Sequence, residues 1–144
     1  LEALTKKENI ALFEKYKVFS KEELIARYHI WIHMYNLTIE IEANTLNEMV
    51  NASVVPAGYE YEKLLAANLD ALVKLQKDVR RNASEMVKLL EDAKKVSNEK
   101  RAELYFDELK PLMEHIRKHV DQLECVVSDD AWDLPKYREM LFIK

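Results

Sequence analysis

The chain has a single glycine, Gly58, and three prolines among its 144 residues. Tight β-hairpins commonly need Asn-Gly or Gly-X pairs, so this chain lacks the turn residues of an all-β sandwich or barrel. Phosphate-binding loops of nucleotide-binding proteins also need several glycines, because the backbone must approach the phosphate closely. Glycine scarcity therefore excludes both kinds of structure and favours a helical fold.

The composition indicates a globular protein with an acidic surface. Hydrophobic residues make up 49% and charged residues 33% of the chain, and the formal net charge is −4. This balance argues against sequence-independent nucleic-acid binding, which needs a broad cationic surface. The one cysteine, Cys125, cannot form an internal disulfide, and no apolar run is long enough to cross a bilayer. We expect a cytoplasmic protein with no nucleic-acid or membrane partner.

Capping signals and proline divide the chain into helices. Boxes at residues 5–8 and 20–23 predict a short helix to about residue 17 and a long helix from residue 20 to about 55. The Pro56-Ala57-Gly58 sequence predicts a kink or turn, with a third helix over about 60–94. Ser97 is the expected N-cap of a fourth helix reaching about residue 127. Residues 1–144 are therefore predicted to form one all-α domain, an elongated antiparallel bundle of about four long helices with short terminal helices.

Apolar residues at helical spacing predict the buried side of the last two long helices. Pro111 lies inside the fourth helix and predicts a bend with the loss of one backbone hydrogen bond. The predicted seam of the third helix is Leu65, Leu69, Leu72, Val79, Ala83, Met86 and Leu90, and that of the fourth is Phe106, Leu109, Met113, Ile116, Val120, Leu123 and Val127.

The long second helix has two apolar rows, which predicts a central helix covered on more than one side. The aromatic residues Tyr28, Trp31 and Tyr35 are interpreted as part of its core stripe. A polar strip that includes His29, His33 and Asn36 either faces water or faces a polar partner surface. The second apolar row consists of Ile30, Met34, Leu37 and Ile41.

All four histidines occur as pairs four residues apart, His29 with His33 and His115 with His119. This spacing places two imidazoles on one helical face, and two such pairs on facing helices are in principle able to bind zinc. The chain has neither an H-E-x-x-H motif nor the E-x-x-H motif of di-iron bundles. The histidines are therefore candidate metal ligands only, and solvated polar positions are the simpler interpretation.

Two stretches of the sequence resemble a known family. The first begins with IALFEKYKVFSKEEL at residues 10–24, continues through 26–28 and resumes at 41–57; the second is WDLPKYREMLF at 132–142. Together they are similar to the C-terminal helical region of type III glutamine synthetases, the large-subunit bacterial form. The agreement follows most of the chain in order and is looser over residues 68–110.

The resemblance implies a parent enzyme that joins ammonia to glutamate with ATP and Mg²⁺ or Mn²⁺, in a large homo-oligomer. It also implies that the catalytic domain lies upstream, so no catalytic, ATP-binding or metal-binding residue is placed on this chain. The expected role is non-catalytic packing against the remainder of the subunit and neighbouring subunits. The candidate contact residues are Ile30, Met34, Leu37, Ile41, Trp132, Met140 and Phe142, for at least half of which ordinary core is the alternative.

Two alternatives remain open from the residues themselves. One is a stand-alone bundle that binds a metal or small ligand between its helices, with His29, His33, His115 and His119 as ligands. The other is a homodimeric interaction module built on the long second helix.

Overall fold

The computed structural model describes residues 2–64 and 70–136, and in these ranges every regular element is helical, which confirms the all-α class. Short 3₁₀ turns occur at Glu2–Thr5 and Asp129–Ala131. The α-helices are α1 (Lys7–Lys15), α2 (Lys21–Met49), α3 (Val55–Leu64), α4 (Asp70–Ala93), α5 (Asn98–Leu104) and α6 (Lys110–Val126).

Two π-helical turns join these helices into longer arms. Val50–Val54 connects α2 to α3, and Tyr105–Leu109 connects α5 to α6. In each turn a backbone N–H donates to the carbonyl five residues back, from Val55 to Val50 and from Lys110 to Tyr105. The described residues therefore form three long arms, α2–α3, α4 and α5–α6, with the short α1 before them.

Both π-turns lie just before a proline, Pro56 in one arm and Pro111 in the other. In an α-helix the proline ring collides with the carbonyl four residues back and removes one hydrogen bond. A π-turn changes the pairing of that turn, so the helix continues past the proline. The short turn predicted as one alternative at Pro56-Ala57-Gly58 is wrong, since all three residues lie within α3, and the irregularity at this proline is the π-turn before it. The irregularity predicted at Pro111 takes the form of the π-turn.

The helix starts follow their capping residues in two of three places. The Ser20 hydroxyl accepts from the Glu23 N–H at 3.2 Å, and the Glu23 carboxylate accepts from the Ser20 N–H at 2.8 Å, which completes the predicted capping box. The Ser97 hydroxyl accepts from Lys100 N–H. The predicted cap at Thr5 is wrong, because α1 begins at Lys7 and the Thr5 hydroxyl donates to the Glu2 carbonyl instead.

The arm α2–α3 runs antiparallel to α4. Side-chain contacts show this directly, since Asn36 pairs with Asn98 just beyond α4, and Glu40 pairs with Lys94 at its end. Farther along, Tyr59 of α3 pairs with Arg80 of α4. The third arm packs mainly against α4 and brings α5 back onto α2. Neighbouring arms therefore alternate in direction, as the sequence predicted.

One hydrophobic core joins the three arms. Side chains from all of them are buried in it, including Ile39 and Ala43 of α2, Val79 and Met86 of α4, and Ile116 of α6. Burying a side chain of this size contributes roughly 1.5–3 kcal/mol each. The predicted α4 seam is confirmed at Leu72, Val79, Ala83, Met86 and Leu90, whereas Leu65 and Leu69 lie outside the described residues.

The π-turn before Pro111 changes which aromatic residue enters the core. Phe106, predicted as a seam residue, is 66% exposed, whereas Tyr105 is fully buried. The prediction assumed an unbroken α-helix, and the extra residue in the π-turn rotates the preceding segment relative to Leu109. Leu109, Ile116 and Leu123 are buried as expected.

A polar junction holds α2 against the end of α4 and the start of α5. The Asn36 side chain is 2% exposed and donates from Nδ2 to the Asn98 carbonyl at 2.8 Å. Lys94 lies 3.2 Å from the Glu40 carboxylate, and Arg101 donates to the Ala93 carbonyl at 2.9 Å. Part of the polar strip of α2 therefore faces polar groups of this same chain.

Gly58 lies where α3 packs closely against Gln76 of α4. A Cβ added to this glycine would collide with Nε2 of Gln76, a side chain that is itself only 3% exposed. The single glycine of the chain thus permits close helix packing in an otherwise helical segment, despite a propensity cost of roughly 1 kcal/mol relative to alanine.

Because the third arm contains a π-turn, we predict that alanine substitutions at its two adjacent aromatic residues have unequal effects on the free energy of unfolding. We expect Tyr105→Ala to lower the free energy of unfolding by about 3–5 kcal/mol, because it removes a fully buried aromatic ring. The matched control Phe106→Ala removes an exposed ring and should change it by less than about 0.5 kcal/mol. Urea unfolding measures both, and the opposite order would show a continuous α-helix through residue 106.

The polar junction predicts a similar contrast along α2. Asn36→Ala leaves the Asn98 carbonyl without its side-chain donor and should cost about 1–3 kcal/mol of unfolding free energy. Asn44→Ala, at an exposed position of the same strip, should be within about 0.5 kcal/mol of the parent. Thermal and urea unfolding measure both variants. If Asn36→Ala and Asn44→Ala lower the free energy of unfolding equally, the Asn36 hydrogen bond does not hold the arms together.

Candidate interaction surface

The side of α2 that faces away from the core presents a row of large apolar side chains. Exposure is 58% at Ile30, 53% at Met34, 42% at Leu37 and 57% at Ile41. We call these four residues the α2 outer row. Their successive spacings of four, three and four residues align them along one face over about 16 Å of helix.

The outer row lies opposite the buried face of the same helix. Ile32, Asn36, Ile39 and Ala43 are the buried residues of that segment, and all are at most 5% exposed. At 100° per residue they fall about half a turn from the outer row. The prediction that α2 is covered on more than one side is therefore wrong for the described part of the chain. The four contact candidates of the outer row do not belong to the core of the described residues.

Trp31 enlarges this apolar surface and was missed as a surface residue by the sequence analysis. It is 46% exposed, although its place among Tyr28 and Tyr35 suggested core. Tyr28 and Tyr35 are partly buried. A sequence signal exists in its spacing, since Trp31 directly follows Ile30 and precedes Met34 by one turn, which places it at the edge of the outer row.

The remaining contact candidates lie near the chain end. Trp132 is 7% exposed and belongs to the chain's own core, as its alternative interpretation held. Lys136 fixes this segment, since its Nζ donates to the Val127 carbonyl at 2.8 Å and lies 2.7 Å from the Asp129 carboxylate. Met140 and Phe142 lie outside the described residues, so their contact role stays a prediction.

The two histidine pairs are not brought together. His29 Nδ1 lies 3.5 Å from the Glu99 carboxylate, whereas His115 stands 6.1 Å from His119, centroid to centroid. The pKa of Glu99 is lowered, first by its own backbone N–H, then by the Ser97 hydroxyl, with a smaller contribution from His29. Within residues 2–64 and 70–136 no three His, Cys, Asp or Glu side chains are grouped closely enough to hold a metal ion.

A shallow groove between α4 and α6 lies beside His115. It has a volume of about 410 Å³, and its lining includes Glu85, Leu89, Glu108 and His115. Glu85, Glu108 and His115 are all exposed, so the groove has no buried ionisable group whose pKa could be shifted for acid–base chemistry.

In the described part of the chain, no helix combines the length and apolarity needed to cross a membrane.

The described residues thus offer a packing surface. What distinguishes the surface is the α2 outer row with Trp31, an apolar area at which another helix is able to pack its own apolar ridge.

Comparison with known proteins gives this surface a context. The family described as glutamine synthetase C-terminal domain matches residues 1–73, which include α1, α2, α3 and the whole outer row. A glutamine synthetase of Bacteroides fragilis is 30% identical over 89% of this chain and 21% of its own length. A type-3 glutamine synthetase of Dictyostelium discoideum is 30% identical over 99% of the chain and 23% of its own length.

A glutamine synthetase of Butyrivibrio fibrisolvens shows the same identity over 94% of the chain and 22% of its own length. The chain thus spans about a fifth of the length of these curated relatives, and it aligns with them almost throughout. The resemblance deduced from residues 10–57 and 132–142 is confirmed: the chain belongs to the glutamine synthetase C-terminal domain family.

Proposed function

We propose that this chain is the non-catalytic helical domain of a type III glutamine synthetase subunit and that it packs the subunit and its oligomer together. The parent enzyme would make glutamine from glutamate and ammonia with ATP and Mg²⁺ or Mn²⁺, in the cytoplasm. Support comes from the family match over residues 1–73 and from alignment with three glutamine synthetases over most of the chain.

The observation that carries the packing role is the contrast between the two faces of α2. One face completes a hydrophobic core shared by three arms, and this core stabilises the folded domain. The other face leaves the α2 outer row exposed, and contiguous apolar surfaces of this kind mark interaction sites. A domain with an intact core and an uncovered apolar side is suited to supporting a larger protein.

A catalytic role for the domain itself finds no support in the described residues. Mg²⁺ or Mn²⁺ needs converging oxygen or nitrogen ligands, and no group of three His, Cys, Asp or Glu side chains is assembled among the described residues. The enzyme's cofactors and substrates are therefore assigned to the part of the parent subunit outside this chain.

The proposal predicts that the parent subunit has glutamine synthetase activity and that this chain alone has none. The 144-residue polypeptide should release no phosphate from ATP in the presence of glutamate, ammonia and Mg²⁺. The parent subunit should do so, and a version lacking this domain should show smaller assemblies by light scattering and lower activity.

Two results would contradict the proposal. One is glutamate- and ammonia-dependent ATP turnover by the 144-residue polypeptide alone. The other is a truncated parent subunit with unchanged assembly size and activity.

A further inference from the structure

We propose that the α2 outer row is the docking face for an amphipathic helix from the upstream part of the same polypeptide. The inference rests on the proposed function, because it names the partner that the packing role requires. Its starting observation is the exposed row Ile30, Met34, Leu37 and Ile41 with Trp31 beside it.

The spacing of the row identifies the partner as a helix. Apolar side chains at intervals of four, three and four residues form the ridge that another α-helix accepts between its own side chains. A flat sheet edge or an extended peptide makes no use of this period, since side chains of a strand alternate every two residues. A partner helix needs at least about three turns to cover the 16 Å length of the row, and more to reach the charged residues beyond its ends.

The area of the row favours a partner on the same chain. Together the outer row and Trp31 expose on the order of 500 Å², which is the size of apolar patch that is often functional in a monomer and is below the roughly 800 Å² per partner of a stable free complex. A covalently linked segment needs less area, because its effective concentration is already in the millimolar range. The relatives supply such a segment, since this chain corresponds to only 21–23% of their length.

Charge at the ends of the row argues against a second copy of this chain. Glu23 lies seven residues before Ile30, and Glu48 lies seven residues after Ile41, so both exposed carboxylates continue the line of the row. Two copies of α2 in register place Glu23 against Glu48 when antiparallel and each glutamate against itself when parallel. Like charges directly opposed are destabilising, so the fitting partner has an apolar centre and lysine or arginine at its ends.

Two exposed methionines of α2 provide an internal comparison for a test. Met34 belongs to the outer row at 53% exposure, and Met49 lies off the row at 42% exposure. Oxidation of methionine by hydrogen peroxide follows its access to solvent. In the isolated 144-residue chain both should therefore oxidise at similar rates, independent of protein concentration.

In the full-length parent subunit, the oxidation rate of Met34 should fall by about tenfold while that of Met49 stays within about twofold. Equal rates at the two residues in the full-length subunit would overturn the docking proposal. Concentration-dependent protection of Met34 in the isolated chain would also overturn it, because that result identifies a second copy as the partner.

Charge-matched variants give a second readout. Met34→Glu should lower the melting temperature of the full-length subunit but not that of the isolated chain, and Met49→Glu should change neither by more than about 2 °C. If Met34→Glu and Met49→Glu behave alike in the full-length subunit, the outer row is not the docking face. Failure here, with assembly and activity still dependent on the domain, refutes the docking face and leaves the proposed function standing.

Discussion

The burial of one face of α2 against the other two arms is the interaction on which the remaining structure depends. Ile32, Ile39 and Ala43 reach the shared core, while Asn36 and Glu40, on the same side, pair with Asn98 at the start of α5 and with Lys94, the residue that follows α4. Once that face is turned inward, the period of the helix turns Ile30, Met34, Leu37 and Ile41 outward. The exposure of these four apolar side chains is thus a consequence of how α2 packs against the other arms.

Proline imposes the second constraint, and the chain meets it in the same way twice. The two prolines that lie within long arms follow π-turns, at Val50–Val54 and Tyr105–Leu109, and the arms remain continuous. This lets α2–α3 extend along α4 and lets Gly58 approach Gln76 closely. The π-turns also lie in the core, since Val50, Val54, Tyr105 and Leu109 are all buried. Their position is fixed by packing on both sides of the turn.

Much of the fold was predictable from local signals, and most of the errors arise at the π-turns and on the outward face of α2. The Ser20 and Ser97 caps and the α4 seam depend on neighbouring residues alone, so sequence spacing located them. The continuation of α3 through Pro56 and the exchange of Phe106 for Tyr105 depend on π-turns, which have no fixed sequence signature. The outer row was identified by its spacing, but periodicity does not tell which of two apolar rows faces the core, so Trp31 was placed on the wrong side.

In this member of the glutamine synthetase C-terminal domain family, three helical arms share one hydrophobic core, and one apolar face of α2 stays exposed. Native-state hydrogen exchange on the 144-residue chain tests it most directly. If α2 shares one core with α4 and α6, amides near Ile39, Val79 and Ile116 should exchange with one common free energy equal to that of global unfolding. If amides near Ile39 instead exchange at a clearly lower free energy than those near Val79 and Ile116, α2 does not belong to that core, and the orientation of its outer row no longer follows.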